Sequence, residues 1–135
     1  ADNNIQTALY QYGIDLGIAF QLADDLLDYE GDAAIMGKNA GDDLAEGKPT
    51  LPLIYTIEIA SNGEADVVIE AITQKNAKNL ATILALVKSN GALEHTRTVA
   101  ESYVASAKQH LLALPDSSYR DALATLADFS LHRNA

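Results

Sequence analysis

The sequence predicts an all-α protein in which the helices pack as a bundle. Apolar residues recur every three or four positions in nearly every segment, and Gly or Pro stands where these patterns stop. No two segments alternate apolar and polar residues as a pair of half-buried strands would. With 135 residues, of which 48% are hydrophobic, the chain has the size and apolar content of one domain with one core.

Helices account for most of the chain in this prediction. The first is capped by Asp2 or Asn3 and runs to about Tyr29, with Gly31 beyond its end. The stretch from Gly31 to Pro52, rich in Gly, Asp and Lys, is predicted as a loop. The later helices are predicted to be Pro52–Ser61, Ala65–Thr73, Asn79–Asn90, Ala92–Leu114 and Ser117–His132, stopped by Gly63, Gly91 and Pro115 among others.

Apolar stripes on two of the later helices predict core positions. Helical spacing places one set of apolar side chains on a common face of each helix. The first stripe is Leu80, Ile83, Leu84 and Val87, and the second is Leu123, Leu126 and Leu131.

Composition excludes several classes of function. The net charge of −10 argues against nucleic acid, whose phosphates require a basic face, and against docking on anionic lipid. The absence of cysteine excludes disulfides, thiolate nucleophiles and thiolate zinc sites. No apolar run is long enough to cross a bilayer, and the first residues do not resemble a signal peptide. We expect a cytoplasmic protein, and a phosphate ester bound by so acidic a chain would need a cation between them.

The chemistry is predicted to lie between Gly13 and Lys48. On a helix, Gly13, Gly17, Gln21, Asp24 and Asp28 fall on one stripe with Asp25 at its edge, opposite the apolar Leu16, Ala19, Ala23, Leu26 and Leu27. Asp24 and Asp28 are like charges one turn apart, near the end of the helix where its dipole disfavours anions. These unfavourable choices point to a divalent cation such as Mg²⁺, with Mn²⁺ as the alternative. The competing interpretation is a solvated acidic helix face, which is common in proteins.

Two Gly-Lys pairs follow the aspartates, at Gly37-Lys38 and Gly47-Lys48. Lysine is a compact charge suited to phosphate oxygens, and glycine lets the backbone approach an anion closely. An ordinary solvated loop is the alternative, but carboxylates followed by such lysines favour a site for a metal ion and a diphosphate.

These motifs closely resemble the second aspartate-rich region of trans-polyprenyl diphosphate synthases. The resemblance is carried by Phe20–Tyr29, Gly37-Lys38, Gly41–Leu44 and Glu46–Leu53, whose last string is most like that of long-chain members. Fainter similarity continues to the end of the chain. It implies that residues 1–135 are the carboxy-terminal helical half of an isoprenoid-synthase-type fold, a fragment whose upstream half is missing.

The resemblance implies a prenyltransferase that condenses isopentenyl diphosphate with an allylic diphosphate in successive 1′–4 steps, assisted by Mg²⁺. It implies a homodimer and, most closely, an octaprenyl product, although the residues that set product length lie mostly upstream. By position it implies metal-binding and catalytic roles for Asp24, Asp25 and Asp28, diphosphate contacts for Lys38 and Lys48 with a catalytic role for Lys38, and a substrate-lining role for Phe20 and Gln21.

The chain departs from the family pattern in what it lacks. It has no second D-D-x-x-D motif and no arginine before Arg97, so we expect half an active site that is inactive alone. The missing half, or a second copy, is expected to cover apolar side chains that include Leu16 and Leu27. A non-catalytic subunit of a two-component synthase and a lyase-type terpenoid enzyme remain open as alternatives.

The three histidines and one arginine near the end of the chain are predicted to have structural roles. His95, His110 and His132 are predicted to lie on different helices, as surface or packing residues. Arg133 matches a basic residue near the end of the family's sequences, but a frayed tail is the preferred interpretation.

Overall fold

A computed structural model describes residues 3–29 and 40–132 of the chain. The predicted all-α class is confirmed. We number the helices in chain order as α1 Asn3–Leu27, α2 Leu51–Ile59, α3 Asn62–Thr73, α4 Leu80–Ser89, α5 Ala92–His110 and α6 Ser118–Phe129, with a 3₁₀ turn at Leu111–Ala113.

The chain divides into two compact units. Unit 1 consists of Ala1–Ala23 and Thr98–Ala135, and unit 2 consists of Asp24–Arg97. Helices α1 and α5 each contribute residues to both units, since the boundaries fall within them.

Unit 1 has a core formed by one face of α1 with side chains of α5, the 3₁₀ turn and α6. From α1 it takes residues at helical spacing, namely Tyr12, Leu16 and Ala19. The Tyr12 hydroxyl donates a hydrogen bond of 2.7 Å to the Leu123 carbonyl, so the aromatic ring is buried while its polar end is satisfied. The other buried members are Val104, Ala107, Leu111 and Ala127.

Unit 2 is built around α2, α3 and α4, which pack against one another. Its core extends to the end of α1 through Tyr29 and to a short helical segment at residues 40–45 through Ala40 and Leu44. Leu53 of α2 and Ile83 of α4 are buried in this core. The other buried members are Val68, Ala71, Leu86, Val87 and Ala92.

Local signals in the sequence explain several helix ends. Pro52 stands in the first turn of α2, where a missing N–H costs nothing. The side chain of Ser117 caps α6 by accepting a hydrogen bond of 3.2 Å from the Arg120 amide. Gly91, at φ +70°, separates α4 from α5 in the left-handed conformation that favours glycine, so its predicted role as a stop is confirmed.

The structure corrects several predictions. Gly63, predicted as a stop, lies in the first turn of α3, which begins at Asn62 and not at Ala65. Residues 40–45, predicted as loop, are helical, because Ala40 and Leu44 are four positions apart and both belong to the core. The helix predicted to end at Leu114 changes to a 3₁₀ turn after His110. Leu126, predicted as a core position, is 42% exposed, whereas Leu123 and Leu131 pack against the core of unit 1.

Apolar surface is left on α1, although not where it was predicted. Leu16 was expected to face the missing half, but it is buried in the core of unit 1, so this prediction was wrong. The exposed large apolar side chains of α1 are instead Leu9, Tyr10, Ile14 and Ile18, of which the last three are spaced four residues apart. No helix within the described part of the chain is long and apolar enough to cross a membrane.

Ile83 offers a direct test of the unit 2 core, because its side chain is fully buried. Ile83→Ala should lower the free energy of unfolding by about 2–4 kcal/mol, through lost burial and the cavity left behind. Chemical denaturation measures this change. Ile69→Ala is the matched control in α3, since Ile69 is 41% exposed, and it should change stability by less than about 1 kcal/mol. Equal effects of the two substitutions would contradict the packing described here.

Candidate metal and diphosphate site

The three aspartates of the D-D-x-x-D motif have different environments at the end of α1. Asp24 is exposed, Asp25 is only 5% exposed, and Asp28 is half-buried just beyond the last residue of the helix. The sequence had placed Asp24 and Asp28 together on one stripe, with Asp25 at its edge. In the folded unit it is Asp25 whose charge acts on Asp28.

A further carboxylate, that of Asp43, joins Asp25 and Asp28 in what we term the carboxylate cluster. Burial raises the pKa of Asp28 to about 7, and a hydrogen bond with Asp43 and the negative charges of Asp43 and Asp25 contribute in the same direction. Lys48 acts in the opposite sense and lowers the pKa of Asp28. Two carboxylates can share a hydrogen bond only when a proton lies between them. A bound cation would reduce their repulsion as this proton does, so the cluster favours binding one.

Asp43 is buried, and its two oxygens have different surroundings. Its Oδ1 lies 3.9 Å from Nζ of Lys48, whose side chain is half exposed. Its Oδ2 is buried and has no hydrogen-bond partner among the described residues. A buried carboxylate oxygen without a partner is costly, and a cation or a shared proton would satisfy it.

Backbone hydrogen bonds place Lys48 beside Asp43. The amide of Lys48 donates to the Asp43 carbonyl at 2.9 Å, and the amide of Gly47 donates to the Leu44 carbonyl at 3.0 Å. These bonds close the end of the helical segment 40–45, and Gly47 adopts a φ of +70° there. The chain therefore turns back at Gly47, and we call residues 46–48 the glycine turn.

The remaining predicted site residues are less closely defined. Phe20 is half-buried and packs against the core of unit 1, while Gln21, the next residue on α1, is exposed. Lys38 and Arg133 lie outside the described residues. The structure thus brings together Asp25, Asp28 and Lys48 of the predicted set.

The chemistry of the cluster fits a hard divalent cation. Carboxylate oxygens are the ligands that Mg²⁺ prefers. The buried Oδ2 of Asp43, which has no hydrogen-bond partner among the described residues, could serve as such a ligand. Within residues 3–29 and 40–132, no three acidic or histidine side chains form a ready-made metal cage. Mg²⁺ does not require such a cage, because it completes its shell with water and substrate phosphates.

The three histidines were predicted to lie on different helices, but His95 and His110 both lie on α5. The ring of His95 stacks on Tyr55, with centroids 3.9 Å apart, so the packing role predicted for it is confirmed. His110 lies in unit 1, where its Nε2 is 3.2 Å from Oδ2 of Asp15, and the Ser106 hydroxyl donates to the same oxygen at 2.6 Å. His132 is exposed.

Comparison with known proteins gives the family. A family model described as Polyprenyl synthetase matches residues 1–89, which is more than half of the chain. The chain belongs to the polyprenyl synthetase family. Octaprenyl diphosphate synthase of Escherichia coli is 43% identical over 130 residues, which cover 96% of this chain and 40% of that relative. The chain therefore spans about two fifths of the length of this curated relative.

Solved structures of polyprenyl synthases share the fold. A polyprenyl synthase from Caulobacter crescentus, complexed with calcium and isoprenyl diphosphate, matches all of this chain and 42% of its own, with a TM-score of 0.83 and 42% identity. Geranylgeranyl pyrophosphate synthase from Corynebacterium glutamicum, complexed with isoprenyl diphosphate and magnesium, matches 99% of this chain and 39% of its own, with a TM-score of 0.80 and 33% identity. The predicted membership of a polyprenyl synthetase family is confirmed.

Asp43 is the candidate that sequence reasoning missed. It stands in the string Gly41-Asp42-Asp43-Leu44, within the stretch that the sequence predicts as a loop. The available signal was Ala40 and Leu44, an apolar pair one helical turn apart that predicts a short helix with one buried face. Asp43 precedes Leu44 and is buried with it.

The raised pKa of Asp28 predicts a pH dependence of stability in the absence of metal. The protonated form is favoured in the folded state, so stability should fall as pH rises from about 4, the ordinary pKa, through about 7. Asp28→Asn should remove this contribution and stabilise the protein more at pH 8 than at pH 5. Thermal unfolding in EDTA across this range measures the difference.

Asp66→Asn is the control for the loss of one negative charge, because Asp66 is exposed on α3. If the difference in thermal stability between wild type and Asp28→Asn were the same at every pH, Asp28 would titrate alike in the folded and unfolded chains. That result would contradict the arrangement described.

Proposed function

We propose that residues 1–135 of this chain form the carboxy-terminal half of a trans-polyprenyl diphosphate synthase. The product of that synthase is proposed to be a long-chain, octaprenyl diphosphate. The reaction condenses isopentenyl diphosphate with an allylic diphosphate in 1′–4 steps. The observation that carries the proposal is the carboxylate cluster beside Lys48. Its oxygens can bind a cation, and the neighbouring ammonium can donate hydrogen bonds to a phosphate. Relatives named octaprenyl diphosphate synthase support the product class.

In this proposal the acidic residues hold the metal. Asp24, Asp25 and Asp28 supply carboxylate oxygens to Mg²⁺, and Asp43 orients or completes that set. The bound Mg²⁺ supplies Lewis-acid stabilisation of the negative charge that builds on the departing diphosphate. The magnesium and isoprenyl diphosphate in the related Corynebacterium enzyme support magnesium as the ion. Mn²⁺ is the alternative.

The lysines and the neighbouring part of α1 hold the substrate. Lys38 and Lys48 donate to diphosphate oxygens, and Lys48 is half exposed and so accessible to a ligand. Phe20 and Gln21 lie one turn before the aspartates on α1, where they would line the substrate site. Lys38 would assist departure of the diphosphate by neutralising its charge.

The second substrate requires residues that this chain does not have. The sequence holds one D-D-x-x-D motif and no arginine before Arg97, so the binding site for isopentenyl diphosphate is assigned to an upstream half. The complete enzyme is proposed to act in the cytoplasm as a homodimer, as the family resemblance implies. A non-catalytic subunit is the alternative function, and we favour the catalytic half because an idle subunit has no use for clustered buried carboxylates.

Metal-dependent diphosphate binding tests the proposal. Titration calorimetry with inorganic pyrophosphate should show binding in Mg²⁺ or Mn²⁺ and little binding in EDTA, because an acidic site repels an anion unless a cation lies between them. Asp25→Asn with Asp28→Asn should abolish the metal-dependent component. Glu64→Gln with Asp66→Asn removes the same charge at exposed positions of α3 and should leave binding intact. Equal affinity in EDTA and in Mg²⁺ would sink the proposal.

Turnover should require both halves of the enzyme. The isolated chain should not extend farnesyl diphosphate with isopentenyl diphosphate and Mg²⁺, because nothing in it positions the second substrate against the first. Co-expression with the upstream half of a related octaprenyl diphosphate synthase should restore some product, as measured by chromatography of the labelled polyprenols. Chain extension by the isolated chain would show that it is more than half an active site.

A further inference from the structure

Lys75 ends α3 in a conformation that is unusual for a lysine. Its φ is +51°, and it is the one non-glycine residue with positive φ in the described part of the chain. The amide of Lys75 donates to the Ile72 carbonyl at 3.3 Å, and the amide of Asn76 donates to the Ala71 carbonyl at 3.0 Å. This pair of bonds defines a Schellman cap, whose left-handed position is filled by glycine in most proteins.

A lysine at this position costs stability. A left-handed residue with a Cβ is less stable than glycine by about 1–2 kcal/mol. Helix α3 would be capped as well, or better, with glycine at position 75. The side chain of Lys75 therefore needs a contact that explains its presence.

That contact is made with the glycine turn. A Cβ built on Gly47 would lie 2.9 Å from Cγ and 3.4 Å from Cε of Lys75, and 3.0 Å from the Ile72 carbonyl oxygen. The aliphatic part of Lys75 thus occupies the space beside Gly47 that a side chain would otherwise fill. Gly47 is required on two counts, because its φ of +70° also favours glycine.

The other backbone restraints on the glycine turn come from its own segment and not from α3. Its backbone bonds run to the preceding segment, from Glu46 to Asp42, from Gly47 to Leu44 and from Lys48 to Asp43. Lys48 follows directly, with its ammonium 3.9 Å from Asp43. A side chain that holds Gly47 against the end of α3 therefore limits where the Lys48 backbone, and with it the ammonium, can lie.

We propose that Lys75 is a positioning residue for the diphosphate site. Its aliphatic stem clamps the glycine turn against the cap of α3 and so holds Lys48 in place for a diphosphate oxygen. Lys75 acts through Gly47 and Lys48, and its own ammonium is not assigned to the ligand. The inference rests on the proposed function for its effect on binding, and on the contacts alone for its effect on the turn.

Three substitutions of Lys75 separate the stem from the charge. Lys75→Gly removes both and relieves the backbone, so the protein should remain folded and be no less stable thermally. Lys75→Met keeps an unbranched stem without charge, and Lys75→Arg keeps both. Lys78→Ala is the matched control, because Lys78 is an exposed lysine three residues further on, whose amide bonds to Asn76.

Calorimetry with Mg²⁺ and pyrophosphate gives the first readout. Lys75→Gly should weaken binding about tenfold, since small displacements of a binding group have effects of this order. Lys75→Met, Lys75→Arg and Lys78→Ala should bind within about twofold of wild type. An equal loss in Lys75→Met and Lys75→Gly would overturn the proposal, because the charge and not the stem would then matter. Unchanged binding in Lys75→Gly would overturn it as well.

Hydrogen exchange of the free protein gives a second readout that does not depend on the proposed function. In Lys75→Gly the amides of Gly47 and Lys48 should exchange faster than in wild type, whereas amides within α1 should be unchanged. If no variant, nor the wild type, binds pyrophosphate but this exchange still rises, the proposed function fails and the clamp stands. Unchanged exchange at Gly47 and Lys48 would remove the clamp whatever the protein binds.

Discussion

The site depends on keeping like charges close together against their repulsion. Asp28 and Asp43 come from separate segments, and each stands next to a core residue of unit 2: Tyr29 is 2% exposed and Leu44 is fully buried. Packing of these two apolar neighbours brings the carboxylates together. Hydrophobic burial, at about 1.5–3 kcal/mol for each large side chain, opposes the repulsion between them. Burial of Asp28 itself, with this repulsion added to it, raises the pKa of Asp28 to about 7.

The same constraint explains why the carboxylates sit where the helix tolerates them least. Asp24 and Asp25 lie in the last turn of α1, where the dipole disfavours anions, and Asp28 follows its last residue. A protein that gains nothing from this cluster would lose stability by keeping it. A ligand that binds only the folded chain repays the loss, because its binding free energy is added to that of folding.

Periodicity in the sequence was sufficient to predict the helices and one face of the site. It could not predict contacts between segments that are distant along the chain. The order of helices follows from boundary signals whose effects are local, such as Pro52 at a helix start and Gly91 at a helix stop. Asp43 was missed because its partner, Asp28, is fifteen positions away along the chain, and no local pattern reports such proximity. Lys75 was missed for the same reason, since its contact with Gly47 depends on how the end of α3 packs.

Charge balance limits what this half of the proposed site can do. The three clustered carboxylates outnumber their one lysine, so a single divalent cation does no more than neutralise them. A diphosphate then adds negative charge that nothing in the described cluster offsets. Further positive charge must come from Lys38, from another metal ion or from residues of an upstream half. An acidic half-site of this kind can hold a metal–diphosphate complex weakly, but ionisation of the substrate requires an excess of preorganised positive charge around the leaving group.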